Sequence, residues 1–330
     1  MISQSTWLAR IFVIAILLFA PLLVAASADQ SSSIKTPHLT ARLISEHTGV
    51  VPGQPFWVAL HFDIIPEWHT YWRNPGDSGN TPSIDWSLPQ GFSASEIHWP
   101  YPQRLPVGPL MNYGYSDQAM LLVEITPPGD LVPGQVIELL ADAEWLVCKV
   151  ECIPEEGSFS LYLPVIAASR QTPTAWAGAF GEARQRLPQP LPWSAAVDVD
   201  ASQLTASIAM TGVDASRLHA VYFYPAGYGI VEHAAAQAYS VDDNSLTITL
   251  ARGDLRGQPL ERLDGVLLLS ERAADGVLER AFTVSIPAAP VPSSGNVGLI
   301  LLFALAGGLL LNIMPCVFPI LSLKALQIVQ

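Results

Sequence analysis

The segment Phe56-Trp57-Val58-Ala59-Leu60-His61-Phe62 is a short β-type run in which apolar and polar residues alternate in places. Similar runs follow at 119–125, 136–140 and 158–163, and turn clusters rich in Gly, Pro, Asn and Asp separate them. Short strands at this spacing are typical of an antiparallel β-sandwich. We therefore predict a sandwich domain over residues 29–170.

The β pattern resumes in residues 194–288, where we expect a second sandwich and, at Ala274-Asp275-Gly276, a hairpin tip. Its candidate strands are 204–210, 220–224, 246–250, 265–269 and 280–286. The predicted fold class is mostly β, with two tandem immunoglobulin-like antiparallel β-sandwiches followed by a transmembrane helix. No catalytic cluster stands out in the second domain, which we interpret as a spacer or docking module.

A connector is predicted at 171–193, between the two sandwiches. Residues 174–187 are dominated by Ala, Glu, Arg and Gln, which favour a helix. The helix is expected to end at Pro188-Gln189-Pro190-Leu191-Pro192, because proline cannot continue a helix and stiffens the chain.

Both ends of the chain carry apolar segments. Residues 1–28 have the pattern of a cleavable signal peptide, with Arg10 before an apolar stretch and Ala26-Ser27-Ala28 as the cleavage site; an uncleaved anchor is the alternative. The following domains are thus expected outside the cytosol, where disulfides can form. Residues 289–296 are expected to be a linker. Residues 297–330 are expected to be a first membrane segment, since their uncharged part exceeds the roughly 20 residues that a span requires.

Charge and cysteine content limit the classes of function that this chain can have. The net charge of −13 over 330 residues argues against nucleic-acid binding, which needs basic patches. The three cysteines, Cys148, Cys152 and Cys316, are too few for a disulfide-stapled scaffold. Two close cysteines and one distant cysteine favour a chemical role over an architectural one.

Cys148 and Cys152 would lie about 13 Å apart in an extended strand, whereas a disulfide requires Cα atoms roughly 4.4–6.8 Å apart. If they bond, residues 149–151 must turn back as a hairpin tip or one helical turn. A ring this small removes little entropy from the unfolded chain, so a bond that is made and broken is favoured. Lys149 would favour a thiolate and Glu151 would oppose it.

Two alternatives remain for this pair. One is an inert local disulfide. The other is a Cu(I) site, because soft sulfur ligands suit Cu(I), with His69, His98 or Met111 completing the coordination. Copper-delivery proteins with a similar cysteine spacing have a βαβ pattern, which this sequence lacks.

Cys316 lies in Asn312-Ile313-Met314-Pro315-Cys316-Val317-Phe318-Pro319, inside the predicted membrane segment. Two prolines interrupt helical hydrogen bonding, which is tolerated at membrane depth only where neighbouring protein or a cavity satisfies the backbone. We interpret Cys316 as an intramembrane redox cysteine and expect its partner beyond Gln330, in a longer protein of which this chain is a part.

Several of these motifs resemble the DsbD family of transmembrane thiol:disulfide interchange proteins, most closely its ScsB-like branch. The resemblance rests on four segments, namely residues 66–79 (PEWHTYWRNPGDSG), 113–115 (YGY), 145–154 (WLVCKVECIP) and 314–324 (MPCVFPILSLK). It implies an inner-membrane protein-disulfide reductase with its β domains in the periplasm. Electrons would arrive from a membrane relay domain beyond residue 330 and leave for oxidised periplasmic thioredoxin-fold proteins. The family implies no cofactor.

The resemblance also assigns roles. Cys152 would form the mixed disulfide with partners, Cys148 would resolve it, and Cys316 would be the first cysteine of the membrane pair. An aromatic cap would shield the reactive pair, and His69, Tyr71, Met111, Asn112 and Tyr113 would surround it, with Asn112 where the family has an aromatic residue. Considered without the family, the Trp and Tyr residues near 68–72 are interpreted as packing in the core or at the sandwich edge, in preference to a functional role.

Overall fold

A computed structural model describes residues 32–211, 214–242, 244–274, 276–288 and 297–313. The described chain is mostly β, as predicted, and is built from four antiparallel sheets, one of which carries a short parallel edge strand. The predicted signal peptide, the linker 289–296 and Cys316 lie outside the described residues.

The first sandwich is built from strands β1 (Ser33–Lys35), β2 (Leu39–Ser45), β3 (Phe56–Ile64), β4 (His69–Gly76), β5 (Ser83–Ser87), β6 (Ser93–Ala94), β7 (Gln103–Val107), β8 (Leu110–Ser116), β9 (Gln118–Thr126), β10 (Val136–Cys148) and β11 (Cys152–Pro164). It pairs a five-stranded sheet, ordered β1-β2-β3-β9-β6, with a sheet ordered β11-β10-β4-β8-β7, in which β5 also pairs with β10.

The long hairpin of β10 and β11 organises this domain. Every second residue of β10 from Ile137 to Val147 is buried, while the residues between them are exposed or half-buried. This alternation presents one face of the strand to the core. The two strands pair in one unbroken register, from Val136↔Pro164 to Cys148↔Cys152, so the turn between them projects from the end of the sheet.

The connector helix α1 (Ala177–Gln185) packs on the first sandwich. Phe180 and Ala183 are buried in a cluster with Ile44 and Leu122 of the five-stranded sheet. Arg184 donates two hydrogen bonds to the carboxylate of Glu46, at 2.7 and 2.6 Å. The helix lies within the predicted segment 174–187 but is shorter at both ends.

The second sandwich is built from strands β12 (Gln189–Pro190), β13 (Ala195–Val199), β14 (Gln203–Ala209), β15 (Leu218–Pro225), β16 (Ala238–Asp242), β17 (Ser245–Ala251), β18 (Arg262–Ala273) and β19 (Gly276–Pro287). Its two sheets are ordered β12-β19-β18-β15 and β13-β14-β17-β16. Short 3-10 helices lie at Ala168–Arg170, Ala215–Arg217 and Asp254–Gly257. The Pro-rich segment after α1, predicted to be a connector, supplies β12, which pairs in parallel with β19.

The two sandwiches share an apolar and aromatic contact. Tyr224, Val266 and Leu268 of the second sandwich belong to the same buried cluster as the core of the first. The Tyr113 and Tyr222 hydroxyls lie 3.0 Å apart, and the Tyr101 hydroxyl donates to Glu279 at 2.8 Å. The second sandwich therefore packs directly against strands β7 and β8 of the first.

The last described element is helix α2 (Val297–Ile313), which is apolar and lies in the predicted membrane segment. Within the residues that the structure describes, no helix is both long and apolar enough to cross a membrane. The predicted span continues into residues 314–330, outside the described residues, and the transmembrane helix stays a prediction.

Candidate functional site

Cys148 and Cys152 form a disulfide at the tip of the β10–β11 hairpin. Their Cα atoms are 4.2 Å apart because the two residues are direct partners in the strand register. The Lys149 N–H donates to the Glu151 carbonyl at 3.3 Å, and none of the three loop residues has a positive φ. Of the two turns that the spacing allowed, the chain uses the hairpin tip, and it does so without a glycine.

The two sulfurs differ in accessibility. Cys148 is only 2% exposed, whereas Cys152 is exposed and lies beside Val150, which is 86% exposed. Cys152 is therefore the more accessible residue of the pair.

His69 and Tyr71 of β4 lie beside the disulfide. Trp72 belongs to the core, so strand alternation places His69 and Tyr71 on the opposite, outer face of the sheet. His69 is the register partner of Cys148, and the Tyr71 hydroxyl is 3.3 Å from Cys152 Sγ. The two predicted site residues are thus brought to the cysteine pair, and their rings contact each other at 5.3 Å.

Burial shapes the chemistry of both side chains. Desolvation raises the pKa of Tyr71, with a hydrogen bond to Ser78 partly opposing it, so the side chain is a neutral phenol that can donate to sulfur. Desolvation lowers the pKa of His69, which favours the uncharged ring. His69 Nε2 has no hydrogen-bond partner within the described part of the chain.

A short covering segment, Asp77–Asn80, lies over Tyr71. Gly79 has φ +105°, and its Cα packs so closely on the Tyr71 ring that an added Cβ would lie 2.7 Å from Cδ1 and nearer still to Cε1 and Cζ. The sequence indicated only a turn here. Sequence reasoning therefore missed Asp77, Ser78 and Gly79 as parts of the site.

Two predicted site residues fix this covering segment. The Met111 N–H donates to Asp77 Oδ2 at 2.7 Å, and the Asp77 N–H donates to the Met111 carbonyl at 3.0 Å. Asn112 Oδ1 accepts hydrogen bonds from the Ser78 N–H at 3.1 Å and the Ser78 hydroxyl at 3.0 Å. An aromatic ring could not accept these bonds, which accounts physically for an amide at position 112.

Tyr113 has a different location from the one expected. It follows Asn112 in β8 and therefore points to the other face of the sheet, where it is fully buried in the shared core. Its ring contacts those of Tyr222, Tyr224 and His233 of the second sandwich. Tyr113 is thus part of the contact between the sandwiches and does not surround the sulfurs.

The copper alternative gains no support from the described residues. His98 is bridged to Leu122 of the five-stranded sheet and packs against Trp57, away from the sheet that carries the cysteines. No group of three His, Cys, Asp or Glu side chains in the described ranges could hold a metal ion.

Lys149 Nζ pairs with Glu67 at 2.6 Å, so its positive charge near the sulfurs is partly neutralised.

A protein-family comparison addresses the same region. Residues 40–164, which include the whole β10–β11 hairpin, match the family model described as "Thiol:disulfide interchange protein DsbD, N-terminal". This part of the chain belongs to the DsbD family. The Cys148–Cys152 disulfide gives the DsbD-type domain a two-electron redox couple, in keeping with thiol:disulfide interchange.

A solved structure extends the likeness to the second sandwich. The N-terminal periplasmic domain of ScsB from Proteus mirabilis aligns with a TM-score of 0.56 at 19% identity, covering 79% of this chain and 99% of that one. At this identity the match shows a shared fold. The yeast GGA1 GAE domain aligns over 40% of this chain and 98% of its own with a TM-score of 0.25 and 13% identity, which carries no argument. No curated protein matches the chain.

Proposed function

We propose that the chain is the electron-donating part of a protein-disulfide reductase, with Cys148 and Cys152 as its redox pair. The observation that carries the proposal is the asymmetry of the disulfide at the hairpin tip, with Cys152 exposed and Cys148 buried. A purely structural bond has no need of one exposed sulfur, and this bond closes a loop too short to stabilise the fold much.

The reaction is an exchange of disulfides in which two electrons pass to the partner. In the reduced protein, the Cys152 thiolate attacks one sulfur of a partner disulfide, forms the mixed disulfide and releases the other partner sulfur as a thiolate. The Cys148 thiolate then attacks Cys152 Sγ, restores the Cys148–Cys152 bond and releases the second partner thiolate. The partner gains two electrons and, at neutral pH, takes up protons from water.

Tyr71 is the side chain best placed to assist this exchange of disulfides. With its hydroxyl 3.3 Å from Cys152 Sγ, it can donate a hydrogen bond to the thiolate. Such a bond stabilises the charged form and lowers the pKa of the thiol. The burial that keeps Tyr71 protonated therefore supports its role as a donor.

The cellular setting is also part of the proposal. The two sandwiches would lie in the periplasm, anchored to the inner membrane by the segment that begins at Val297. Electrons would come from a membrane relay that includes Cys316, and oxidised periplasmic thioredoxin-fold proteins would receive them. A disulfide isomerase, a peroxide-handling protein or a cytochrome maturation factor would each fit this role.

Mixed-disulfide trapping tests the proposal. Cys148→Ser removes the resolving sulfur, so Cys152 is expected to accumulate mixed disulfides with periplasmic thiol proteins, visible on non-reducing gels and identifiable by mass spectrometry. Cys152→Ser is the matched control, because it leaves only the buried sulfur and is expected to trap little. Equal trapping by both variants, or none by either, would contradict the assigned roles.

A further inference from the structure

Each sulfur of the redox pair has its own polar neighbour on β4. The Tyr71 hydroxyl lies 3.3 Å from Cys152 Sγ, whereas His69 is the direct antiparallel partner of Cys148. Directly opposed residues of antiparallel strands place their Cβ atoms about 4.5–5.5 Å apart, on the same face of the sheet. The imidazole of His69 therefore lies beside the sulfur that resolves the mixed disulfide in the proposed reaction.

His69 has a hydrogen-bonding atom that the oxidised protein does not use. The side chain is only 6% exposed, and its Nε2 is buried without a hydrogen-bond partner in the described part of the chain. A buried polar atom without a partner is destabilising, so its presence calls for an explanation. Reduction of the disulfide supplies one, because the Cys148 S–H becomes a donor that the oxidised pair lacks.

The surroundings leave His69 uncharged and able to accept a proton. The residues that face it are uncharged in the oxidised protein at neutral pH, namely Tyr71 on its own strand, Cys148 on β10 and Ser116 on β8. The charged side chains of Glu67 and Lys149, close to the pair in the chain, bind each other at 2.6 Å. Desolvation alone lowers the pKa of His69, so the ring is neutral at neutral pH. In the tautomer protonated at Nδ1, its Nε2 lone pair is free.

We propose that His69 is the proton acceptor for Cys148 in the resolving step. The S–H proton of Cys148 passes to His69 Nε2, and the resulting thiolate attacks Cys152 Sγ. The Cys148–Cys152 bond forms, the bond from Cys152 to the partner sulfur breaks, and the partner leaves as a thiolate. The imidazolium then releases its proton to water. This inference rests on the proposed redox function and adds the base that a buried thiol needs, because burial disfavours the thiolate.

The reaction of the reduced chain with excess dithiobis(nitrobenzoate), followed by absorbance, separates the two steps. Attack by Cys152 releases a first equivalent of the coloured thiolate at a rate proportional to the reagent concentration. Attack by Cys148 on the mixed disulfide releases the second equivalent at a rate independent of that concentration. Every protein in the experiment carries Cys316→Ser, so that Cys148 and Cys152 are the only thiols in the chain.

With His69 in place, the second rate is expected to be nearly independent of pH from about 7 to about 8. It should fall below pH 6.5, where the ring takes up a proton. His69→Gln has a polar side chain that cannot take up a proton. Its second rate is expected to be on the order of 100-fold lower at about pH 7 and to rise about tenfold per pH unit, because only thiolate formed without a base reacts. A side chain that merely supports the fold would change the rate without changing its dependence on pH.

His98→Gln is the matched control. It makes the same substitution in the first sandwich, at a ring that packs against Trp57 on the sheet that does not carry the cysteines. Both rates are expected to equal those of the chain with all its histidines. A pH-independent second rate that is lost in His69→Gln and kept in His98→Gln would support the inference.

A second rate in His69→Gln within about twofold of that control, with the same dependence on pH, would overturn the inference. Release of both equivalents in one phase by His69→Gln would do the same. If His69→Gln does not fold, the chain with all its histidines decides, because a second rate that rises about tenfold per pH unit from about 6 to about 8 would mean that no base assists Cys148. A missing first phase would contradict the proposed redox function itself, and with it the inference.

Discussion

Replacing Gly79 by Ala should displace the covering segment. The new methyl group would overlap the Tyr71 ring, which is fully buried and cannot move away easily. Overpacking of this kind costs about 1–3 kcal/mol. A non-glycine residue at φ +105° adds about another 1–3 kcal/mol of backbone strain.

Gly134→Ala separates these two effects. Gly134 has a similar φ of +96°, but an added Cβ there would meet nothing within 4 Å. The two variants therefore share the backbone strain, and only Gly79→Ala has the overlap with Tyr71. The difference between them should be about 1–3 kcal/mol.

Thermal unfolding of the oxidised chain, followed by near-ultraviolet circular dichroism, gives the stability difference. At about 2–4 °C per kcal/mol for a chain of this size, Gly79→Ala should melt several degrees below Gly134→Ala. Equal melting temperatures for the two variants would refute the packing of the covering segment on Tyr71.

Three further predictions concern other contacts. Tyr71→Phe removes the donor to the Cys152 thiolate and should lower the reduction potential by about 30 mV, the equivalent of one hydrogen bond of about 1.4 kcal/mol, in a glutathione equilibration. Arg184→Ala leaves the 8% exposed Glu46 without its two hydrogen bonds and should destabilise the first sandwich by about 2 kcal/mol, measured by denaturant unfolding. Stability should fall as the pH drops below 6.5, because unfolded His69 takes up a proton that the buried ring resists; His69→Gln should reduce this loss.

Each of these has a result that would contradict it. A potential in Tyr71→Phe at or above that of the unchanged chain would exclude donation to the thiolate. An Arg184→Ala midpoint equal to that of the unchanged chain would mean that water satisfies Glu46. Identical pH dependence of stability in His69→Gln and the unchanged chain would show that other groups cause the acid sensitivity.

The sequence contained more of the fold than we predicted from it. The run at 136–140 is only the beginning of β10, whose alternation of buried and exposed residues continues to the cysteine. By contrast, β4 is buried on both faces and ends in Asn-Pro-Gly, so it shows neither alternation nor a strand-like end. An alternation of buried and exposed residues identifies a strand that has one solvent-exposed face, and β4 has no such face.

Contacts of the site between residues close together in the chain could be predicted from the sequence, whereas contacts between distant residues could not. The pairing of Cys148 with Cys152 depends on four residues of chain, and the resemblance to a known family supplied His69 and Tyr71. The hydrogen bond between His233 of the second sandwich and Asp77 spans 156 residues and leaves no local pattern. Tyr113 was assigned to the site because its neighbours are there, but adjacent residues of a strand point to opposite faces.

The reduction potential of Cys148/Cys152, obtained by equilibration with glutathione and thiol alkylation, tests the central claim most directly. We predict a value above about −250 mV, as expected for a labile pair that exchanges with partners. A value below about −300 mV would mean a bond that resists glutathione, and would contradict the assignment of this hairpin as a redox site.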